Sequence, residues 1–166
     1  MKKRGFTLAE ILVALGIVGV VSAITLPTFV NNANSKSHEM TAKATVNAIE
    51  NAIGSLLAQD GVNTMGELDA ILNDATGEYQ DVLITEIKKS LKCSDSTHKP
   101  TGANDAAKSL LLKNGSVVSV YVSKIDADAS VTAGEIYIDS NGSSTPNKSG
   151  VDQFKYNLLG NGILEK

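Results

Sequence analysis

The chain has 166 residues, enough for one domain with its own core and too few for two of ordinary size. Its 15 Lys+Arg against 18 Asp+Glu give a net charge of −3; setting aside Lys2, Lys3 and Arg4 at the start leaves 12 against 18, a body at −6. That balance offers no basic stripe for phosphates, and a chain with no Trp and 4% aromatic residues offers no base-stacking platform, so no nucleic-acid contact is expected on the globular part. The single Cys93 has no partner for an intrachain disulfide.

The first element is apolar. From Ile11 to Leu26 there is no charged residue, a run of roughly 24 Å as a helix. Started at Phe6 the segment becomes 21 residues long, roughly 31 Å, which matches the ~30 Å hydrocarbon core of a bilayer. That choice places Glu10 inside the apolar zone. A carboxylate there costs about 2.5–3.5 kcal/mol on insertion scales and calls for a cation at the same depth. The nearest cations, Lys2, Lys3 and Arg4, lie in the flank, where the positive-inside rule makes them hold the N-terminus in the cytoplasm. Two plain readings compete: an ordinary export signal cut at Val21-Ser22-Ala23, and a single-pass anchor. Neither gives Glu10 a reason.

Arg4-Gly5-Phe6-Thr7-Leu8-Ala9-Glu10, followed by the apolar run and Pro27, resembles the prepilin-type leader of type IV pilins and type II secretion pseudopilins, over roughly residues 1–57. The resemblance implies that residues 1–5 are a leader, cut after Gly5 by a membrane-embedded prepilin peptidase, and that Phe6 becomes the N-methylated N-terminus. It also implies that the new α-amino group of Phe6 meets Glu10 of an adjacent subunit, and that Pro27 is the helix-bending proline of the family. The implied partners are the peptidase, other copies or related pilin subunits in a helical filament, and an inner-membrane assembly platform.

Beyond Pro27 the chain turns polar, yet Val46, Ile49, Ile53, Leu56 and Leu57 recur on one face of a helix, with Gly61 as a stop. The expected helix therefore runs from Phe6 to about residue 60, too long for one small domain, so half of it must project. Gly16, Gly19 and Pro27 predict a bend or local melting in that half. A short helix is expected at 66–74. Tyr79, Val82, Leu83, Ile87 and Leu91 predict another at 78–92, with Lys88, Lys89 and Lys92 suited to its C-terminus.

Residues 93–105 read as loop, and His98 within it as a solvated side chain with no role. Ser109–Lys113 and Ser116–Val122 predict strands joined by Asn114-Gly115, the dipeptide of tight hairpins. Gly134–Asp139 and Gln153–Leu158 follow as strands, and Asn161-Gly162 turns the chain toward Ile163-Leu164. Four or so antiparallel strands laid on Val46 to Leu57 would bury both faces. The fold class is thus α+β and resembles the pilin fold: a long N-terminal helix (6–60, with 6–26 as membrane or filament core) packed on a small antiparallel sheet in a globular domain at 61–166.

The stretch from Asp139 to Asp152 also resembles a C-terminal loop of pilin-like proteins that holds calcium in major pseudopilins. Asp139, Asn141, Ser143 and Asp152 would be the oxygen ligands. The same Asp, Asn, Gly and Pro residues also serve as turn formers without a metal, and Gly150 excludes an EF-hand register. The lone cysteine departs from pilins that close this region with a disulfide. No phosphate-cradling glycine loop, metal-ligand spacing or nucleophile elbow is present, so no enzymatic activity is expected. The resemblance points to a structural subunit of a type IV pilus-like filament, held in the inner membrane before assembly. The alternatives are a pseudopilin of a type II secretion or DNA-uptake system, or an anchored binding domain that never assembles.

Overall fold

A computed structural model describes residues 5–72, 79–123 and 130–166. Lys2, Lys3 and Arg4, and the expected helical residues 73–74 and 78, lie outside them. Three helices, α1 (Leu8–Asp60), α2 (Met65–Leu72) and α3 (Tyr79–Leu91), precede six strands: β1 (Ser94–Asp95), β2 (Lys108–Leu111), β3 (Val117–Val122), β4 (Thr132–Asp139), β5 (Gln153–Leu159) and β6 (Leu164–Glu165). The strands form one antiparallel meander in chain order. A long apolar N-terminal helix and an antiparallel sheet make this the α+β, pilin-like arrangement expected. Contacts divide the chain into two compact units, residues 1–37 and 38–166.

In the first unit α1 begins at Leu8, two residues later than periodicity suggests, because Thr7 caps it. The helix continues through Pro27, so the expected melting is absent. Pro27 lacks the N–H that would reach the carbonyl four residues back. Around it, Thr25 Oγ1 donates to Val21 O at 3.0 Å and Thr28 Oγ1 to Ile24 O at 3.4 Å.

The second unit is built on a stripe. Every buried residue of α1 lies between Ala42 and Leu57, and Ile49, Ala52 and Ile53 are sealed from solvent. Against this stripe pack Leu83, Ile84 and Ile87 of α3 and the alternate residues of the sheet. Strand register explains the pairing: Leu110, Val118, Ile138 and Phe154 form one cross-strand row, and Val120, Ile136 and Tyr156 the next. Each fully buried Ile or Leu in such a row contributes about 1.5–3 kcal/mol.

Both hairpins differ from the tight two-residue form. Leu112 N–H donates to Ser116 O at 2.9 Å and Leu159 N–H to Ile163 O at 2.9 Å, so each loop has three residues. Gly115 (φ 86) and Gly162 (φ 82) take the left-handed position, whereas Asn114 and Asn161 do not. The asparagines act through their side chains: Asn114 Oδ1 accepts from Ser116 N at 3.1 Å and Asn161 Oδ1 from Ile163 N at 3.0 Å.

The segment read as a plain loop is the largest departure. It contributes β1, paired to Leu110 and Leu111, and then folds over the polar face of the sheet. Ser96 N–H donates to Ser109 O at 2.8 Å, Thr101 N–H donates to Gln153 Oε1 at 3.2 Å, and Pro100 is buried. Under this cover Ser109 and Ser119 are buried despite being polar and share a hydrogen bond at 2.5 Å. The two-residue β1 has no alternation to read, and its existence depends on a partner 15 or more residues away.

Candidate functional site

Two places gather the residues that sequence reasoning singled out. The first is the start of α1. Gly5, Phe6 and Thr7 precede the helix and are exposed, so the Gly5–Phe6 bond lies in non-helical backbone. Thr7 N–H and Thr7 Oγ1 both donate to Glu10 Oε2 at 2.8 Å, and Glu10 N–H returns a bond to Thr7 Oγ1 at 3.3 Å. This is a capping box, in which the N-cap threonine and a glutamate three residues on satisfy each other's orphan donors. Its sequence signal is Thr-x-x-Glu ahead of an apolar run, which the pairing of Glu10 with a cation does not use.

The first stretch of that helix, from Leu8 to Val30, packs against nothing among the described residues. Phe6 is 84% exposed and Ile24 70%, and every large apolar side chain from Phe6 to Val30 is exposed. An 18-residue window of α1 has a mean hydropathy of 2.3 and is long and apolar enough to cross a membrane. Beside Glu10, Ala9, Val13, Ala14 and Ile17 line an apolar depression, because the two alanines are too short to fill it. Pro27 lies within the same exposed stretch.

The second place is the Asp139–Asp152 corner. Asp139 is sealed from solvent, and its Oδ2 receives Gln153 Nε2 at 2.8 Å and faces His98 Nε2 at 3.2 Å. With its amide nitrogen turned inward, Asn147 adds a third donor to that oxygen at 3.1 Å. Oδ1 accepts Asn141 N–H at 3.3 Å. Asp152, also sealed, accepts Asn147 N–H at 2.7 Å and Lys148 N–H at 2.6 Å, one on each oxygen. Ser143 is exposed, and Asn141 Oδ1 is the one buried side-chain oxygen among the described residues without a partner.

These donors suit an anion. Calcium is held by six to eight oxygens, whereas here all four carboxylate oxygens already face N–H groups. The carboxylates are thus satisfied by N–H donors with no metal present, and no group of three His, Cys, Asp or Glu is placed to hold one among the described residues. What the corner does is join three segments, since the donors to Asp139 come from the 93–107 cover, the 140–152 loop and β5. His98, read as solvated, is one of them. His38 of α1 reaches the same corner, its Nδ1 lying 2.9 Å from Ser140 Oγ. Ser140 Oγ donates to Asp152 O at 2.9 Å, which makes the His38 nitrogen the donor.

Residues 1–26 match a family model described as the prokaryotic N-terminal methylation motif. No curated protein and no solved structure matches the chain significantly.

Proposed function

We propose that this chain, whose first 26 residues carry the prepilin signature of type IV pilins and pseudopilins, is a structural subunit of a type IV pilus-like filament. The observation that carries this reading is that the matched motif opens a helix whose apolar side chains are exposed on every side from Phe6 to Val30. A helix apolar all round is stable only inside a bilayer or inside a bundle of other helices. A prepilin visits both in turn. Before assembly α1 anchors the precursor in the inner membrane, with the globular unit on the far side from Lys2, Lys3 and Arg4.

The peptidase breaks the Gly5–Phe6 amide by adding water, leaving a carboxylate on the leader and an α-amino group on Phe6, which is then methylated. That amino group is the cation that Glu10 lacks within its own chain. We take the partner to be Phe6 of a second copy, as the prepilin signature implies. Contacts of this head-to-tail kind do not close on themselves and generate a helical filament. The chain does no chemistry of its own; the reaction at Gly5–Phe6 is done to it.

Intact mass spectrometry of the protein recovered from native membranes or sheared filaments tests the reading. The expected species begins at methylated Phe6. A species beginning at Met1 indicates a plain anchor, and one beginning at Ile24 an exported protein without its helix; either outcome overturns the proposal.

A further inference from the structure

We infer that Asn141 is a site of spontaneous deamidation, selected by the fold from three Asn-Gly dipeptides, and that its product loosens the Asp139–Asp152 corner. The inference is independent of the filament reading.

Asn114, Asn141 and Asn161 each precede a glycine. Such a dipeptide is open to attack by its own backbone, because glycine puts no side chain in the way. The glycine nitrogen gives up its proton to solvent base and bonds to the asparagine Cγ. The Cγ–Nδ2 bond breaks, and the departing nitrogen takes a proton from water and leaves as ammonia. A five-membered succinimide remains. Water then opens either of its two C–N bonds, giving aspartate, or isoaspartate where the main chain runs through Cγ. One water enters, one ammonia departs, and the side chain gains a negative charge.

The attack needs the glycine N–H and the asparagine amide to be free, and the two hairpins hold both. Gly115 N–H donates to Leu112 O at 3.0 Å and Gly162 N–H to Leu159 O at 2.9 Å. Asn114 Oδ1 accepts Ser116 N–H at 3.1 Å and Asn161 Oδ1 accepts Ile163 N–H at 3.0 Å. At Asn141 neither restraint exists. Gly142 N–H has no partner among the described residues, and Asn141 Oδ1 is buried without one. The amide is tethered through Nδ2 to Thr145 O at 3.2 Å. Backbone conformation does not separate the sites, since φ is 86, 65 and 82 at Gly115, Gly142 and Gly162. Hydrogen bonding does.

The product falls in an unfavourable place. Asn141 N–H donates to Asp139 Oδ1 at 3.3 Å, and Asp139 and Asp152 are both sealed from solvent. A carboxylate at 141 adds a negative group beside Asp139, at a buried oxygen position that meets no donor, and it loses the bond to Thr145 O. Isoaspartate also lengthens the main chain by one carbon ahead of Gly142.

The test incubates the full-length chain in detergent micelles, at mildly alkaline pH in heavy-oxygen water, and follows each dipeptide by peptide mapping. Asn141 is expected to convert roughly thirtyfold faster than Asn114 or Asn161, the barrier set by two hydrogen bonds. The products carry one heavy oxygen and include isoaspartate. In denaturant the three rates converge. Asn141→Asp, which reproduces one product, is expected to melt lower and to be cut sooner by protease within 140–152. Asn114→Asp keeps an oxygen for Ser116 N–H and leaves both readings unchanged.

Equal rates at the three sites in the folded chain, faster conversion at Asn114 or Asn161, or an Asn141 preference that persists in denaturant each overturns selection by the fold. Asn141→Asp melting and resisting protease like Asn114→Asp overturns the loosening of the corner.

Discussion

Residues 8–30 and 42–57 lie on one continuous helix and draw on the same apolar side chains, yet they obey opposite rules. In the second stretch the apolar residues keep to a stripe, and Ile49, Ala52 and Ile53 are buried under the sheet of their own chain. In the first they surround the axis, and none is buried. A stripe needs a partner on one side, and a meander of six short strands is enough. An all-round apolar surface needs partners on every side, and the described residues of this chain leave every large apolar side chain from Phe6 to Val30 exposed. The comparison separates what the chain stabilises alone from what it leaves to lipid or to other copies.

The largest expected break lies in the first stretch. Glu10→Ala should reduce filament to background while leaving the melting temperature of the 38–166 unit unchanged; a shift in melting with normal assembly would reverse the comparison. Next comes the packed unit. A Cβ at Gly134 would lie 2.2 Å from Tyr121 O, a backbone atom of the adjacent strand that cannot retreat without breaking the ladder. Gly134→Ala should destabilise the unit by about 4 kcal/mol or prevent folding, read by denaturant melts, with Ser in place of Ala no better.

Asp139→Ala removes the acceptor for four N–H donors and should cost about 2–4 kcal/mol, with proteolysis rising in the 93–107 and 140–152 segments that it joins. Equal sensitivity of the whole unit would instead make Asp139 an ordinary core residue. Gly162→Ala should cost about 1–2 kcal/mol, because φ is 82 and a Cβ would meet Ile53 Cγ2 at 2.7 Å.

The smallest effect is a pH dependence confined to the packed unit. Burial raises the Cys93 thiol above its ordinary 9.0 and the Tyr156 hydroxyl above its ordinary 10.0. Between the unfolded and folded pKa the native state holds the extra proton, so stability is unaffected below pH ~9 and falls as pH rises through the folded values. Cys93→Ala should remove the first part of that fall and leave the part from Tyr156, measured by melts across the alkaline range.

Much of this was legible because it is local. The stripe from Val46 to Leu57 follows helical spacing, the strand rows follow alternation, and glycine marked both hairpins. The motif around Gly5 and Glu10 is contiguous, so its resemblance could be read without any fold. Even the capping box is written in four residues, Thr7 to Glu10.

What sequence could not decide were interactions between segments far apart in the chain. His98 carries no local sign that it faces Asp139, 41 residues on. β1 exists only because β2 accepts it, and Ser109 and Ser119 are buried only because the 93–107 segment lies over them. The oxygen-rich composition of Asp139 to Asp152 suggested a cation, yet composition does not say which way N–H groups point. Tertiary structure turned Gln153, Asn147 and His98 toward one carboxylate, making the corner a hydrogen-bonded joint. Sequence alone determined the elements and the exposed apolar helix, because helical and strand periodicities are properties of neighbours. Tertiary structure decided the joints, because a donor and an acceptor find each other only after the chain has brought them together.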